Sequence, residues 1–513
     1  MNGAEGLLRT ARDAGVEVCF ANPGTTEMPL VEAFDSVGGV RTVLGLSEGV
    51  VTGAADGWAR MRGAPAMTLL HLGPGFANGI ANLHNARRAR TPLINVVGEH
   101  ASWHQAADAP LASDIDSLAR PVSGWVGRTS SASAAAGEFV AARQAALRER
   151  QPATLIAASD HMWGDGGQVA EIPAAPELSA VDSQWVAELA KVVSGPGKPV
   201  LLLGSSVLDG AGLRLAARIA HAAGGAVFAE RNPARIERGP GIPAVPTLPY
   251  FPEDNLAALA DCTHLVLVGT EVPVSFFGYP DQPSVPVPEG TQVHALARPG
   301  EDGLQALAEL ADALGANDDP PATEAPTLRS PAGTLDPSAV ATAIALTQPE
   351  NAILVNEGVT AASAYPAVAA SAPAHTELDL TGGAIGMGIP AATGAALACP
   401  DRPVIDLQAD GSGFYTVQGL WTQAREGADV TTVICRNASY RILGVELHRA
   451  GVTEPGPAAS GMTSLQDPGA DWVALAAGFG VPAVRATTGP ELLDALRRAH
   501  GEPGPHLVEA VLP

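Results

Sequence analysis

The chain has 513 residues, a length that predicts about three domains with room for hydrophobic cores. Hydrophobic residues make up 46% of it and charged residues 16%, which excludes a disordered chain. The formal charge of −24 repels nucleic-acid phosphates and anionic lipids, so we expect neither nucleic acid nor a membrane as partner. An anionic small ligand would need a local counter-charge in order to bind.

The cysteines and the first residues bear on the cellular compartment. Cys19, Cys262, Cys399 and Cys435 are scattered without the spacing of a metal site, so we expect free thiols. The first 20 residues carry several charges and lack the apolar centre of a secretory signal. No apolar run reaches the roughly 18 residues of a membrane span. We therefore predict a cytoplasmic protein.

The first third of the chain alternates between helical and strand patterns. The predicted helices cover residues 4–15, 26–37, 49–62 and 76–90. The predicted strands cover residues 16–21, 41–46, 65–72 and 92–97. Strands and helices in this rhythm indicate βαβ units, in which a parallel sheet is covered on both faces.

Two stretches rich in Pro and Ala, residues 166–183 and 316–338, predict linkers that divide the chain. The predicted domains are residues 1–165, 184–315 and 339–513. The middle one begins with an amphipathic helix and has strands at 199–203 and 264–268. The last one has strands at 352–355, 403–407, 430–435 and 506–511, and helices at 388–397, 416–426, 472–479 and 490–500. The predicted fold class is α/β, with three consecutive doubly wound parallel-sheet domains.

Glu48 is a candidate functional residue because it joins an apolar strand to a helix rich in small apolar residues. Its neighbours include Val50, Val51 and Ala54, and no basic residue is close in sequence. Such surroundings favour a protonated carboxyl group that can donate a hydrogen bond. A carboxylate that merely stabilises the start of the helix would have the same sequence.

Polar residues also follow two successive strands of the last third. Asp410, Gly411 and Ser412 follow strand 403–407, whereas Asn437 and Ser439 follow strand 430–435. The carboxyl ends of neighbouring parallel strands share one edge of a sheet, so Asp410 and Asn437 are expected to converge. Carboxylate, amide and carbonyl oxygens suit Mg²⁺. The amides of Gly411 and Ser412 would add donors for a diphosphate.

This last segment resembles the thiamine diphosphate motif of the family that contains benzoylformate decarboxylase, pyruvate decarboxylase and acetolactate synthase, with Ala409 in place of its usual first glycine. The sequence NPGTTE at 22–27 and the segment 46–57 are similar to the family's cofactor-activating domain, and the segment 382–391 resembles its pyrimidine-binding loop. The resemblance covers essentially the whole chain. It implies a pyrimidine-binding domain at 1–165, a middle domain, and a diphosphate- and Mg²⁺-binding domain at 339–513.

The resemblance also implies roles for individual residues. Glu48 would hydrogen-bond N1′ of the cofactor's aminopyrimidine and promote removal of the C2 proton. The backbone of Gly383 and Ile385 would hold the pyrimidine, and the Ile385 side chain would support the bent cofactor. The expected diphosphate pocket contains Gly358, Val359, Gly411, Ser412, Asn437 and Tyr440. The expected Mg²⁺ ligands are Asp410, Asn437 and the carbonyl of Ser439.

On the substrate side, Thr25 matches a residue that contacts the substrate carboxylate in benzoylformate decarboxylase, and His71 matches a histidine placed for proton transfer. The second active-site histidine of that enzyme belongs to its middle domain, and the segment 273–280 of this chain contains none. His104 is a candidate substitute, although an exposed loop histidine is the simpler interpretation.

The resemblance implies decarboxylation of a 2-oxo acid followed by carboligation to an aldehyde or ketone, as in acetolactate synthase. One alternative is a decarboxylase that releases an aldehyde, and another is a non-catalytic cofactor-binding paralogue. We expect thiamine diphosphate and Mg²⁺ as cofactors and, for lack of a recognisable motif, no FAD. The family builds its active sites between subunits, which implies a homodimer or homotetramer.

Overall fold

The computed structural model describes residues 1–321 and 325–513 and divides into two compact units. Unit 1 contains Met1–Pro176, Arg329–Tyr365 and Gly382–Pro513, and unit 2 contains Glu177–Leu328 and Pro366–Thr381. The second predicted linker, 316–338, lies partly outside the described residues.

The first part of unit 1 contains a six-stranded sheet. Its elements are α1 (Gly3–Asp13), β1 (Val18–Asn22), α2 (Met28–Val37), β2 (Arg41–Leu44), α3 (Glu48–Arg62), β3 (Ala66–Leu70), α4 (Leu72–Arg88), β4 (Leu93–Glu99), α5 (Ile115–Ala119), β5 (Trp125–Arg128), α6 (Ala135–Glu149), β6 (Pro152–Ala158) and α7 (Ser159–Trp163). The strands are parallel and follow the order β2-β1-β3-β4-β6-β5. The central strands β3, β4 and β6 are buried along their whole length, as expected for a sheet covered on both faces.

The next part of the chain belongs to unit 2. Its elements are α8 (Ser183–Val193), β7 (Pro199–Leu203), α9 (Gly210–Ala223), β8 (Ala226–Ala229), β9 (Ile236–Arg238), α10 (Pro252–Ala258), β10 (His264–Val268), β11 (Gln292–Ala297) and α11 (Gly303–Leu314). Four strands form a parallel sheet in the order β11-β10-β7-β8. Apolar residues of α8, α9 and α11 pack on it, among them Leu189, Ile219 and Leu307.

The last part of the chain completes the fold. Its elements are α12 (Pro337–Thr347), β12 (Ile353–Glu357), β13 (His375–Asp379), α13 (Gly388–Ala398), β14 (Val404–Ala409), α14 (Asp410–Gly413), α15 (Gly419–Glu426), β15 (Val430–Arg436), α16 (Arg441–Arg449), α17 (Pro457–Thr463), α18 (Trp472–Gly478), β16 (Ala483–Ala486), α19 (Gly489–Gly501) and β17 (His506–Val511). Five of these strands belong to unit 1 and run parallel in the order β16-β17-β15-β14-β12. In unit 2, β13 pairs antiparallel with β9.

The parallel sheets confirm the predicted α/β fold class, with the short β9–β13 pair as a local exception. All four cysteines are free. Among the described residues, no helix has both the length and the apolar content needed to cross a bilayer.

Helix α4 begins four residues earlier than predicted, at Leu72 instead of Phe76. The sequence Gly73-Pro74-Gly75 forms its first turn, where the missing N–H of proline leaves no hydrogen bond unmade. This early start places Gly75 beside the carboxyl group of Glu48.

The buried side chain of His500 makes the stability of the protein depend on pH. Burial lowers the pKa of His500 from 6.5 to about 4, and the charge of His506 is a smaller cause. Nδ1 of His500 lies 3.3 Å from Oγ1 of Thr431. The unfolded chain therefore binds a proton at higher pH than the folded one, so stability is lost as pH falls from about 6.5 to about 4. We expect a loss of about 2 kcal/mol, because one pKa unit corresponds to about 1.4 kcal/mol and the ring keeps some contact with solvent.

The measurement is the urea midpoint of wild type and His500→Gln at pH 7 and pH 5. The variant should lose less stability over that interval than wild type does. His448→Gln, a change at an exposed histidine of the same unit, serves as the control and should follow wild type. Equal losses in wild type and His500→Gln would contradict the assignment.

Candidate active site

Glu48 is the first residue of α3 and only 8% exposed. Ser47 caps the helix by accepting a hydrogen bond from the N–H of Gly49. The amide of Asn78 donates to Oε2 of Glu48 at 3.1 Å, and a Cβ at Gly75 would lie 2.7 Å from Oε1. Helix α4 therefore fixes the carboxyl group of Glu48 at the carboxyl edge of the first sheet.

Helix α3 crosses α13 at very short range within unit 1. A Cβ at Gly57 would overlap the carbonyl oxygen of Ala391, and one at Gly394 would overlap that of Ala54. Only glycine permits this approach of the two backbones at both positions. The crossing joins the first and last parts of the chain, so that the start of α3 faces the loop before α13.

Two asparagines of α4 connect this loop to the start of α3. Nδ2 of Asn82 donates to the carbonyl of Gly49 at 2.8 Å and to that of Gly386 at 3.1 Å. Asn85 donates to the carbonyl of Ala384 at 2.7 Å and accepts from its N–H at 3.2 Å. The predicted pyrimidine loop, residues 382–387, is thus held against the helix start that carries Glu48.

A buried carboxylate supports the same loop from the opposite side. Glu357 is 1% exposed, and its Oε1 accepts from the N–H groups of Gly386 at 2.8 Å and Met387 at 3.0 Å. Its Oε2 accepts from the N–H of Gly388 at 2.8 Å and from Nε2 of Gln408 at 2.9 Å. Burial raises the pKa of Glu357, and these hydrogen bonds oppose the rise. The side chain satisfies the first N–H groups of α13 and fixes the loop.

The loop 382–387 contains two glycines with positive φ. Gly383 has φ of 74° and Gly386 has φ of 103°, and both values favour glycine. Ile385 lies between them and is partly exposed. Gly358 and Val359, also predicted to line the cofactor pocket, follow directly after Glu357.

The structure brings the predicted Mg²⁺ ligands together. Asp410 is 3% exposed, and its two oxygens accept from the N–H groups of Gly411 at 2.9 Å and Ala438 at 2.7 Å. Asn437 Oδ1 accepts from the N–H of Ser439 at 3.0 Å. Burial raises the pKa of Asp410, and the bonds from Ala438 and Gly411 oppose this. The loops after β14 and β15 are therefore linked directly through the Asp410 side chain.

This donor set fits a magnesium ion. A buried carboxylate, a side-chain amide oxygen and nearby backbone carbonyls are hard ligands, and such ligands suit Mg²⁺ better than a thiolate- or imidazole-binding metal. The set contains one carboxylate, which leaves net positive charge on the ion for a diphosphate.

The remaining predicted diphosphate residues surround Gly411. A Cβ there would lie 2.7 Å from the ring of Tyr440, so that ring covers the glycine. Burial is the largest cause that raises the pKa of Tyr440, followed by the charge of Tyr415 and a hydrogen bond between the two hydroxyls. The hydroxyl of Ser412 points inward, where Nε2 of Gln408 donates to it at 2.5 Å. Only the backbone of Ser412 is therefore available for the predicted contact with phosphate.

The predicted substrate residues lie in the first part of unit 1, and His71 is close to Glu48. His71 follows β3, and a Cβ at Gly75 would lie 3.3 Å from Cβ of His71 and 2.7 Å from Oε1 of Glu48. Thr25 follows β1 and is exposed. Nδ1 of His71 lies 2.7 Å from the buried carboxylate of Glu27, a contact that the sequence did not predict.

His104 is exposed, and its ring centroid lies 5.5 Å from that of His100. His100 was not predicted as a site residue from the sequence. Its Nε2 is buried and has no hydrogen-bond partner in the described part of the chain. The sequence signal that could have found it is a pair of histidines four residues apart directly after a predicted strand.

The chain is similar to known thiamine pyrophosphate enzymes. Residues 1–119 match the model of the N-terminal TPP-binding domain of thiamine pyrophosphate enzymes, and residues 358–510 match that of the C-terminal TPP-binding domain. A Mycobacterium tuberculosis protein with the provisional name acetolactate synthase large subunit IlvX is 50% identical over 100% of this chain and 99% of its own length.

Benzoylformate decarboxylase of Pseudomonas aeruginosa is 32% identical over 97% of this chain and 96% of its own length. Among solved structures, the thiamine diphosphate-dependent 4-hydroxybenzoylformate decarboxylase of Rhodococcus jostii superposes with a TM-score of 0.87. It covers 100% of this chain and 99% of its own at 23% identity, and so supports the fold. The chain therefore belongs to the thiamine diphosphate-dependent enzymes, in the family of acetolactate synthase and benzoylformate decarboxylase.

Proposed function

We propose that this enzyme uses thiamine diphosphate and Mg²⁺ to decarboxylate a 2-oxo acid and joins the remaining fragment to an aldehyde or ketone. The observation that carries the proposal is the placement of Glu48 against the loop 382–387, bridged by Asn82. The name of the 50% identical relative supports the carboligase outcome.

When bound, thiamine diphosphate supplies the nucleophilic carbon and the electron sink of this chemistry. Glu48 would exchange a proton with N1′ of the aminopyrimidine, which the backbone of Gly383 and Ile385 would hold. The Ile385 side chain would support the bound cofactor. Thr25 would bind the substrate carboxylate, and His71 would move a proton at the substrate.

Asp410, Asn437 and the carbonyl of Ser439 would hold Mg²⁺, and Gly358, Val359, Gly411, Ser412 and Tyr440 would surround the diphosphate. The ion supplies the local positive charge that a chain with a net charge of −24 needs in order to bind an anionic cofactor.

A simple decarboxylase that releases an aldehyde is the second candidate, supported by the relative named benzoylformate decarboxylase and by the position of His71 beside Glu48. A non-catalytic paralogue would be expected to have lost one of Glu48, Asp410 or Asn437, and all three are present.

We further propose that the middle part of the chain holds no FAD. Dinucleotides bind where the strand order of a parallel sheet reverses, here between β7 and β10. A Cβ at Gly204, after β7, would overlap the carbonyl oxygen of Gly269, after β10. Glu230 fills the same edge and accepts from Ser205 Oγ and Thr270 Oγ1, both at 2.7 Å. Both oxygens of Glu230 are engaged by these hydroxyls, and we expect the purified protein to lack flavin absorbance.

By resemblance to the family we propose a cytoplasmic homodimer or homotetramer with active sites at the subunit interface. The proposed compartment rests on the four free thiols. Size-exclusion chromatography with light scattering would give the assembly state.

The function is tested by incubating the protein, Mg²⁺ and thiamine diphosphate with a panel of 2-oxo acids, with and without aldehyde acceptors. A chiral hydroxyketone identifies the carboligase, whereas CO₂ with free aldehyde identifies the decarboxylase. Tight cofactor binding without any product from any donor would contradict both.

A further inference from the structure

A buried carboxylate lies behind the histidine at the substrate edge of the site. Glu27 is 0% exposed, and its Oε2 lies 2.7 Å from Nδ1 of His71. The same oxygen accepts from the N–H of Gly24 at 2.7 Å, and Oε1 accepts from the hydroxyl of Thr26 at 2.6 Å. The carboxylate thus receives hydrogen bonds from two groups of its own turn and has one oxygen directed at His71.

Two glycines leave the space that this pair occupies. A Cβ at Gly98, in β4, would overlap Oε1 of Glu27, and a Cβ at Gly24 would overlap the ring of His71. The ring and the carboxylate therefore lie where any other residue at these positions would place its side chain. Three separate segments, after β1, after β3 and in β4, cooperate to hold the pair.

The hydrogen bonds determine which nitrogen of His71 carries the proton. Because the carboxylate already accepts from Gly24 and Thr26, it acts as an acceptor toward Nδ1 as well, and a carboxylate has no proton to donate. Nδ1 of His71 therefore keeps its hydrogen. In the neutral imidazole Nε2 is then the free base, on a side chain that remains 24% exposed.

We propose that Glu27 is a positioning residue that holds His71 with its proton on Nδ1, so that Nε2 is the atom that exchanges a proton with the substrate. The proposal rests on the proposed function, in which His71 acts on the substrate. In the step, Nε2 takes one proton from the substrate and returns it, the imidazole is cationic in between, and Glu27 keeps its charge and stabilises that cation. The arrangement has the logic of a buried acid that orients a catalytic histidine.

The kinetic test compares Glu27→Gln, His71→Gln and the double variant with wild type on a 2-oxo acid that is turned over. We expect each single change to lower kcat by about 10²- to 10³-fold with KM changed less than about threefold, because general acid–base catalysis contributes on that order. The double variant should be no slower than the slower single variant, since the two residues act as one unit. The proposal would be overturned if the two losses in kcat multiplied in the double variant, or if Glu27→Gln were fully active.

A second readout does not require turnover. With ¹⁵N-labelled histidine, the NMR signal of His71 is assigned by its loss in His71→Gln, and the position of its proton is read from the nitrogen shifts. Wild type should carry the proton on Nδ1, and Glu27→Gln should shift a substantial share to Nε2. An unchanged proton position would overturn the proposal even if no substrate were found, whereas the predicted shift without any turnover would contradict only the proposed function.

Controls separate positioning from folding. Glu32→Gln changes an exposed carboxylate of the following helix, α2, and should leave kcat and the His71 signal as in wild type. Glu27→Asp keeps the negative charge and should therefore recover part of the loss in kcat. It also provides the test if Glu27→Gln fails to fold. The proposal would be overturned if Glu27→Asp kept the wild-type melting temperature and the His71 proton on Nδ1 but was as slow as His71→Gln.

Discussion

Glu48→Gln should slow exchange of the C2 proton of bound thiamine diphosphate by at least about 10²-fold, because an amide cannot take up or release the proton at N1′. Cofactor affinity should change much less. Gln has the same shape as Glu, and its oxygen can still accept from Asn78 as Oε2 does now at 3.1 Å. The measurement is C2–H exchange in deuterated water, followed by acid quench and NMR.

The control for this prediction is Glu149→Gln, which makes the same chemical change at an exposed position at the end of α6. It should exchange the C2 proton at the wild-type rate. If Glu48→Gln also exchanged at that rate while binding cofactor, Glu48 would not be the proton-transfer group.

Asp410→Ala should raise the Mg²⁺ concentration needed for cofactor binding by about 10²-fold or more, because the site loses its one carboxylate. The substitution also removes the bond that links Asp410 to the N–H of Ala438 at 2.7 Å, so the loop with Asn437 and Ser439 loses its support. The measurement is a Mg²⁺ titration at fixed thiamine diphosphate, followed by tryptophan fluorescence.

Two companion variants sharpen the result. Asp410→Asn can still accept from Ala438 but lacks the charge, so its affinity should lie between those of wild type and the alanine variant. Asp401→Ala changes an exposed aspartate of the same unit and should titrate as wild type does. An unchanged titration for Asp410→Ala would refute the assigned ion site.

The fold class and the convergence of Asp410 with the loop at Asn437 could be predicted because both follow from local patterns. Buried parallel strands are short, apolar and regularly spaced along the chain, and polar residues directly after such strands must share one edge of the sheet. The strand β13 was not predicted because its sequence, HTELD, has neither an apolar–polar alternation nor a continuous apolar run. The strand pairs antiparallel with the distant β9.

The supporting residues of the site could not be predicted for a different reason. Asn82 and Asn85 contact Gly386 and Ala384, about 300 residues further along the chain, and no local pattern marks such a contact. Glu27 stands in a recognisable motif, yet its role depends on its approach to His71, which only the packed sheet determines. Side chains that hold other side chains are visible in the folded chain alone.

The glycine-to-backbone contacts between α3 and α13 make the two ends of the sequence thermodynamically dependent on each other. Gly57 and Gly394 leave no layer of side chains between the helices that could yield, so a displacement of one backbone is transmitted to the other. A ligand held at the common end of these helices adds its binding free energy to both parts at once, in proportion to the logarithm of its concentration. Cellular cofactor supply would thereby regulate how much of this protein remains folded, as well as how much of it is active.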